Sequence, residues 1–279
     1  MRDGSDAARD PSALRARALR YSAQGNYSYA ERYLLKTLRN LNSPGSRPTP
    51  AHLFLWNDLG MVYKDAGRFN QAETCYRKAL RHSQRCLKGL SRDFFRADLF
   101  HNLGGLEHSR RRFRSGERFA RESLRLRRLV AGPRSLPVAS DMAALAALLD
   151  GQGKFAEAEK LYRQALRVYR REYGANHPEI AVVLNNLAAV YQATGRPRRA
   201  LAGYTTALRM KRRKLGRTHP DVGATLNNLG MLHKSRGDER AATRCFEEAL
   251  RILQQSLGAS HPNTRIVRTN YQRLRKESA

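Results

Sequence analysis

Residues 176–195 read NHPEIAVVLNNLAAVYQATG, and residues 218–237 read THPDVGATLNNLGMLHKSRG. Seven of the 20 positions are identical, most others exchange like for like, and the two stretches lie 42 residues apart. A catalytic site is normally built once, whereas a sentence repeated at this period marks a repeated structural unit. From Leu187 and Leu229 of LNNL, steps of 42 residues back reach Leu145 and then Leu103. A step of 44 reaches Leu59, and a last step of 42 reaches Arg17, where the leucine is lost but Tyr21, Gly25 and Ala30 keep the flanking pattern. A forward step reaches Tyr271 in a lone terminal helix. The chain is therefore expected to be one repeat domain over 1–279, with units at 11–42, 52–90, 96–131, 138–173, 179–215 and 221–257 and a cap at 262–276.

Each unit reads as two helices. In the fifth, a helix is predicted over 179–193, with Val183, Leu184, Leu187, Ala188 and Tyr191 on one broad face. Gly195 and Pro197 interrupt it, and Ala200, Tyr204, Ala207 and Leu208 come into phase on a second helix. So small a pair cannot bury its apolar face alone; stacking on its own copies makes a continuous core. LNSPGSRPTP at 41–50 and AGPRSLP at 131–137 read as loops from their proline and glycine content.

Composition bounds the function. Apolar residues make up 41% of 279, and no run approaches the length needed to cross a bilayer. The first residues carry Asp3, Asp6 and Asp10 and no apolar segment, so no signal peptide is expected and the expected location is cytoplasmic. Three cysteines give no disulfide framework, and Cys75 and Cys245, each before an aromatic, occupy the same slot of two units. Lysine and arginine total 53 against 24 acids, a net charge of +29. Such a field attracts acidic partners: nucleic acid, anionic lipid or acidic peptide. Arginine is also simply a good former of exposed helix, so the charge has a compositional source as well.

No phosphate-cradling glycine loop, His-Glu-x-x-His or Cys-x-x-Cys occurs, so neither enzyme activity nor a cofactor is expected. His177, His219 and His261 recur at the unit period. Equivalent positions of stacked units lie about 8–10 Å apart, while zinc takes ligands at about 2 Å. A loop role is expected, each histidine preceding a proline that suits the first turn of a helix. Arg110 to Arg134 contains ten arginines, with Arg121, Arg125 and Arg128 on one helical face; Arg209 to Arg217 contains six bases, including Lys211, Arg212, Arg213 and Lys214. These runs are either solvated faces or an anion-binding surface. Phe113 and Phe119 are the only aromatics of the first run, few for a reader of single strands.

Trp56-Asn-Asp-Leu59-Gly60-Met-Val-Tyr63 matches the tetratricopeptide signature W-x2-L-G-x2-Y, and Ala72-x3-Tyr76 and Ala242-x3-Phe246 supply its second half. The chain resembles that family, and its longer units, with the loops GANHP, GRTHP and GASHP before a first helix, are similar to the repeats of kinesin light chains and related bacterial proteins. No kinesin-type heptad region accompanies them, so no motor role is inferred. The resemblance implies an all-α, right-handed superhelical solenoid whose first helices line a concave groove. Its lining slots fall on Asn57, Asp58, Lys64, His101, Asn102, Asn185, Asn186, Gln192, Asn227, Asn228, Lys234 and Asn270.

Asparagine is a poor choice for mid-helix, so the pairs Asn185-Asn186 and Asn227-Asn228 need a reason. Amides suit the backbone of an extended peptide; one asparagine of each pair could equally tie neighbouring units together. In the fourth unit Ala143, Ala144 and Ala147 replace this pattern with an apolar patch. In the third, Gly116 stands where the family prefers alanine, leaving a hinge or neutral drift open. The expected function is a scaffold binding a protein segment, acidic by the net charge, with nucleic acid on the arginine-rich surface as the alternative. Oligomeric state is left open.

Overall fold

The computed structural model describes residues 11–42 and 47–277. Asp3, Asp6 and Asp10 and part of the loop at 41–50 lie outside the described residues. All regular structure among those described is helical: α1 (Pro11–Ala23), α2 (Tyr27–Leu41), α3 (Pro50–Asp65), α4 (Phe69–Cys86), α5 (Gly89–Ser109), α6 (Phe113–Ala131) and α7 (Leu136–Asp150). They continue as α8 (Phe155–Tyr173), α9 (Pro178–Ala193), α10 (Pro197–Leu215), α11 (Pro220–Ser235), α12 (Glu239–Leu257) and α13 (Pro262–Glu277). The odd-numbered first helices and even-numbered second helices alternate as expected of a tetratricopeptide solenoid. One boundary differs: α5 starts at Gly89, inside the stretch assigned to the second unit, rather than at 96. Nothing there stops a helix: Lys88 is an extended cap, and no proline follows before Pro133.

Expected as a single domain, the chain divides into two compact units, one ending at Gln152 and one beginning at Gly153. The first holds α1–α7, packed as hairpins around Leu34, Leu53, Tyr76, Leu99, Leu103 and Leu106. The second holds α8–α13 around Tyr204, Leu226, Phe246, Ile252, Leu253 and Val267. Inside each unit, first helices of successive repeats approach one another: α1 with α3, α3 with α5 and α5 with α7; then α9 with α11 and α11 with α13. No two second helices bring their backbones as close, although Arg212 of α10 reaches Glu248 of α12 through its side chain. The first-helix side is thus the more crowded, inner side of each stack.

The signature residues act through size. A methyl group on Gly60 would come within 2.4 Å of the Tyr76 ring, and one on Gly230 within 2.7 Å of Phe246. Glycine lets the two helices of a hairpin close onto the aromatic between them. Gly116 has the same explanation: a methyl there would lie 2.5 Å from Leu148 and 3.2 Å from the Gly104 carbonyl, so close packing accounts for glycine at this position. Within-repeat turns place glycine at positive φ, as at Gly195 (φ 69); only Arg111 (φ 58) takes that slot without being glycine.

Tyr76, Tyr162, Tyr204 and Phe246 fill equivalent slots and are all essentially buried. The Tyr76 hydroxyl has no hydrogen-bond partner among the described residues, whereas that of Tyr204 donates to Gln192 Oε1 at 3.2 Å. Burial pushes the Tyr76 hydroxyl's pKa far up, so it stays protonated and is a wasted donor. Tyr76→Phe is therefore expected to leave stability unchanged or raise it, while Tyr204→Phe costs about 1 kcal/mol. Urea melts of the two variants check this; an equal cost for both would refute it.

Candidate functional site

The asparagines sit half-buried on the inner side of their helices and bond laterally. Asn228 Nδ2 donates to Asn185 Oδ1 at 3.4 Å, and Asn270 Nδ2 to Asn227 Oδ1 at 3.0 Å. Within α9, Asn185 Nδ2 donates to Asn186 Oδ1 at 3.2 Å. In the first unit, Asn102 Nδ2 donates to Asn57 Oδ1 at 2.8 Å. Each rung joins first helices of successive repeats, so the tie between units is realised. An amide has two N–H donors and a two-lone-pair acceptor, so a single rung leaves most of its capacity unused. The Asn186 and Asn227 amide N–H groups make no bond to a described residue, and the rungs fix the direction in which they point.

The other expected groove residues are committed inside the molecule to different degrees. Asp58 is a correction: it is 3% exposed and fully engaged by the Arg15 guanidinium, so it is part of the core and not of a ligand surface. The hydrogen bond to Asp58, and its negative charge, hold Arg15 above its usual pKa. His101 Nδ1 lies 2.6 Å from Asp141 Oδ1, Lys64 Nζ 3.5 Å from Asp65, and Lys234 Nζ 2.8 Å from Glu277. These three remain partly exposed, as does Gln192. Ala143, Ala144 and Ala147 are half-buried on α7, an apolar patch of the first unit.

Charge is sorted between the two kinds of helix. The inner first helices α3, α5, α7, α9 and α11 together carry four basic and nine acidic residues, whereas the terminal first helices α1 and α13, each with a neighbour on one side only, carry eight basic residues and one acidic. The second helices α2, α4, α6, α8, α10 and α12 carry 28 basic and ten acidic residues. The reason is the stacking pattern: first helices are flanked by neighbours on both sides and keep apolar and amide residues, while second helices keep a solvent face that ionised side chains can occupy.

On that outer face, Arg128, Arg213 and Lys214 are exposed. Arg121 pairs with Glu117 and Arg125 with Glu122, each at 2.8 Å, and Arg212 pairs with Glu248 at 2.7 Å. Lys211 is a correction. It is 7% exposed, and its ammonium donates to Thr225 Oγ1 at 3.0 Å and to the Asp221 carbonyl at 3.4 Å. Its long apolar stem lets it turn inward, and burial lowers its pKa. It ties α10 to α11 and is no part of an anion surface.

His177, His219 and His261 cap helices. Their Nδ1 atoms accept from the backbone N–H of Glu179 (3.3 Å), Asp221 (3.1 Å) and Asn263 (3.1 Å). The proline between histidine and donor supplies the first helical φ and needs no partner. Among the described residues no group of three or more potential ligands could hold a metal ion, and no helix is long and apolar enough to cross a membrane. Cys75, Cys86 and Cys245 are free thiols, and burial raises Cys75 to about 11, far from a reactive thiolate.

A buried ionic cluster went unread in the sequence. Asp141, 1% exposed, faces His101 Nδ1, Arg127 Nε at 3.3 Å and Ser123 Oγ at 2.9 Å. Arg127, 4% exposed, also donates to Asp98 at 2.7 Å. Ser123 is fully buried against the Ala97 carbonyl, and its hydroxyl faces Asp141, not His101, so the group joins α5, α6 and α7 and has no nucleophile geometry. The signal was available: Asp141 is a lone carboxylate within the apolar stretch LPVASDMAALAALL.

Comparison with known proteins agrees with this architecture. Family models described as Tetratricopeptide repeat match residues 54–86 and, in overlapping segments, 95–171, 151–213 and 179–255. No curated protein matches the sequence significantly. Among solved structures, BtubC (BKLC) from P. vanneervenii is similar with a TM-score of 0.60 and 24% identity, over 90% of this chain and 94% of that one. A putative kinesin light chain with nearly identical TPR-like repeats, from Podosopora anserina, gives a TM-score of 0.57 and 17% identity over 76% and 99% of the two chains. A Rap protein complexed with Competence and Sporulation Factor gives 0.61 and 12% over 96% and 75%. With its signature residues, its hairpin stacking and family matches over more than half its length, the chain belongs to the tetratricopeptide repeat family.

Proposed function

We propose that this protein is an interaction scaffold that holds an extended segment of a partner protein against its first helices. The observation that supports the reading best is the asparagine ladder of the second unit. It consists of uncharged amides at half-buried sites, oriented by their neighbours and with free N–H groups. Such groups recognise a peptide backbone whatever its side chains, and pre-orientation lowers the entropic cost of capture. A structural neighbour solved as a complex, the Rap protein with Competence and Sporulation Factor, supports the use of this fold for holding a partner. Acidity of the ligand, expected from the net charge, finds no row of cations on the inner first helices to carry it. We assign recognition there to amides and apolar side chains.

A peptide-display library selected on the full chain tests this. Selected peptides are expected to lose at least tenfold in affinity to a variant with Asn185, Asn186, Asn227 and Asn228 all changed to alanine. That variant is expected to melt close to the parent, because alanine's higher helix propensity offsets the lost rungs. Peptides that bind the variant unchanged would reject the site.

A further inference from the structure

We propose a second, separate binding site on α10 for the phosphate backbone of duplex nucleic acid. Thr205, Arg209 and Arg213 follow each other at four-residue intervals on α10, about 6 Å apart along the axis, so they form one exposed stripe. Gly216, at φ 89, turns the chain after the helix and brings Arg217 to the same concavity. That concavity has a volume of about 420 Å³ and is lined by these four residues with Leu208 and Arg212.

The charge state of the site is what distinguishes it. Helix α10 contains seven bases and no acid. Arg212 is neutralised by Glu248, but Arg209, Arg213 and Arg217 meet no carboxylate among the described residues. The comparable concavity on α6, about 540 Å³, is lined by Arg121, Arg125 and Arg128 with three leucines, and two of its three arginines are already paired with Glu117 and Glu122. Unpaired guanidiniums stay available for bidentate bonds to phosphate, with the Thr205 hydroxyl as a further donor. Thr205, Arg209 and Arg213 alone span about two helical turns, and Arg217 follows, so the positive surface is longer than a single phosphate group. An extended, regularly charged ligand fits it.

Duplex is favoured over single strand because free stacking platforms are missing there among the described residues: Tyr173, the exposed aromatic at the end of α8, is already stacked on His177 at 3.7 Å. Of the apolar residues at this end of α10, Leu208 is buried and Leu215 is exposed, so an anionic membrane is the alternative that the vesicle arm of the test separates from the duplex. Backbone recognition of this kind is sequence-independent and strongly salt-dependent. It uses second helices, so it does not involve the asparagine ladder.

The test is fluorescence anisotropy of a labelled 20-base-pair duplex of scrambled sequence with the full chain, titrated at several salt concentrations from about 50 mM upward. Arg209, Arg213 and Arg217 are changed together to glutamate, and, as a control of equal charge change, Arg240, Arg244 and Arg251 of α12. The α10 variant is expected to lose at least tenfold in affinity and to flatten the salt slope by roughly 2–3. The α12 variant is expected to lose much less, and the four-alanine asparagine variant nothing. Circular dichroism melts show that each variant is folded, and Arg209→Gln with Arg213→Gln gives a milder pair should the triple variant not fold. Equal losses for α10 and α12 would reduce the effect to net charge and overturn the site. So would unchanged binding by the α10 variants, or tighter binding to phosphatidylserine vesicles than to the duplex.

Discussion

Replacing Asp141 by alanine is expected to destabilise the first unit by about 3–5 kcal/mol, the range for removing one partner of a buried ion pair. The carboxylate is 1% exposed and Arg127 is 4% exposed, so neither can be rehydrated in place. With Asp141 gone, Arg127 keeps Asp98 and the face of the Phe94 ring, and the Ser123 hydroxyl and the His101 imidazole lose a partner. Since whole domains are stable by only about 5–15 kcal/mol, this is a large fraction. At 2–4 °C per kcal/mol for a unit of this size, the transition falls by about 10 °C. Changing both Asp141 and Arg127 to leucine is expected to recover most of the loss, because a buried pair replaced by apolar groups is often neutral. A double-mutant cycle in urea measures it, and a loss under 1 kcal/mol for the alanine variant would show that the cluster is not held as described.

The second large effect is expected in the other unit. Phe246 is fully buried, and its ring lies against Gly230 of α11 and 6.4 Å from the Tyr271 ring of α13. It is the element that fills the space between one hairpin and the cap. Phe246→Ala removes the ring from the buried cluster that also holds Ile252, Leu253 and Val267, and the backbone at Gly230 cannot fill the space without moving helices. The expected cost is about 3–5 kcal/mol. Hydrogen exchange is the informative readout: protection is expected to fall in α11, α12 and α13. Protection unchanged in those helices would contradict the packing account.

Most of the architecture was legible from residues alone because it is a local property repeated six times. A hairpin of amphipathic helices needs only the helical period, a turn glycine such as Gly195 and a proline such as Pro178 at the first turn, and these recur at a fixed spacing. The helix expected at 179–193 and found at Pro178–Ala193 shows how closely such signals fix an element. Where they are missing, as before α5, the boundary was misplaced.

The site was less legible, because side-chain direction depends on what the helix packs against. Lys211 and Arg213 lie two residues apart in one basic run, yet one is buried under α11 and the other faces solvent. Asp58 and Asn57 are adjacent in one helix, yet the first is spent on Arg15 and the second forms a rung of the ladder. The sequence by itself determined the family, the helix pairs and the net charge, since all three follow from short-range pattern and composition. Only the tertiary structure decided which of these side chains stay in water and which turn inward, as Lys211 and Asp58 do, because stacking sets which face of each helix is covered.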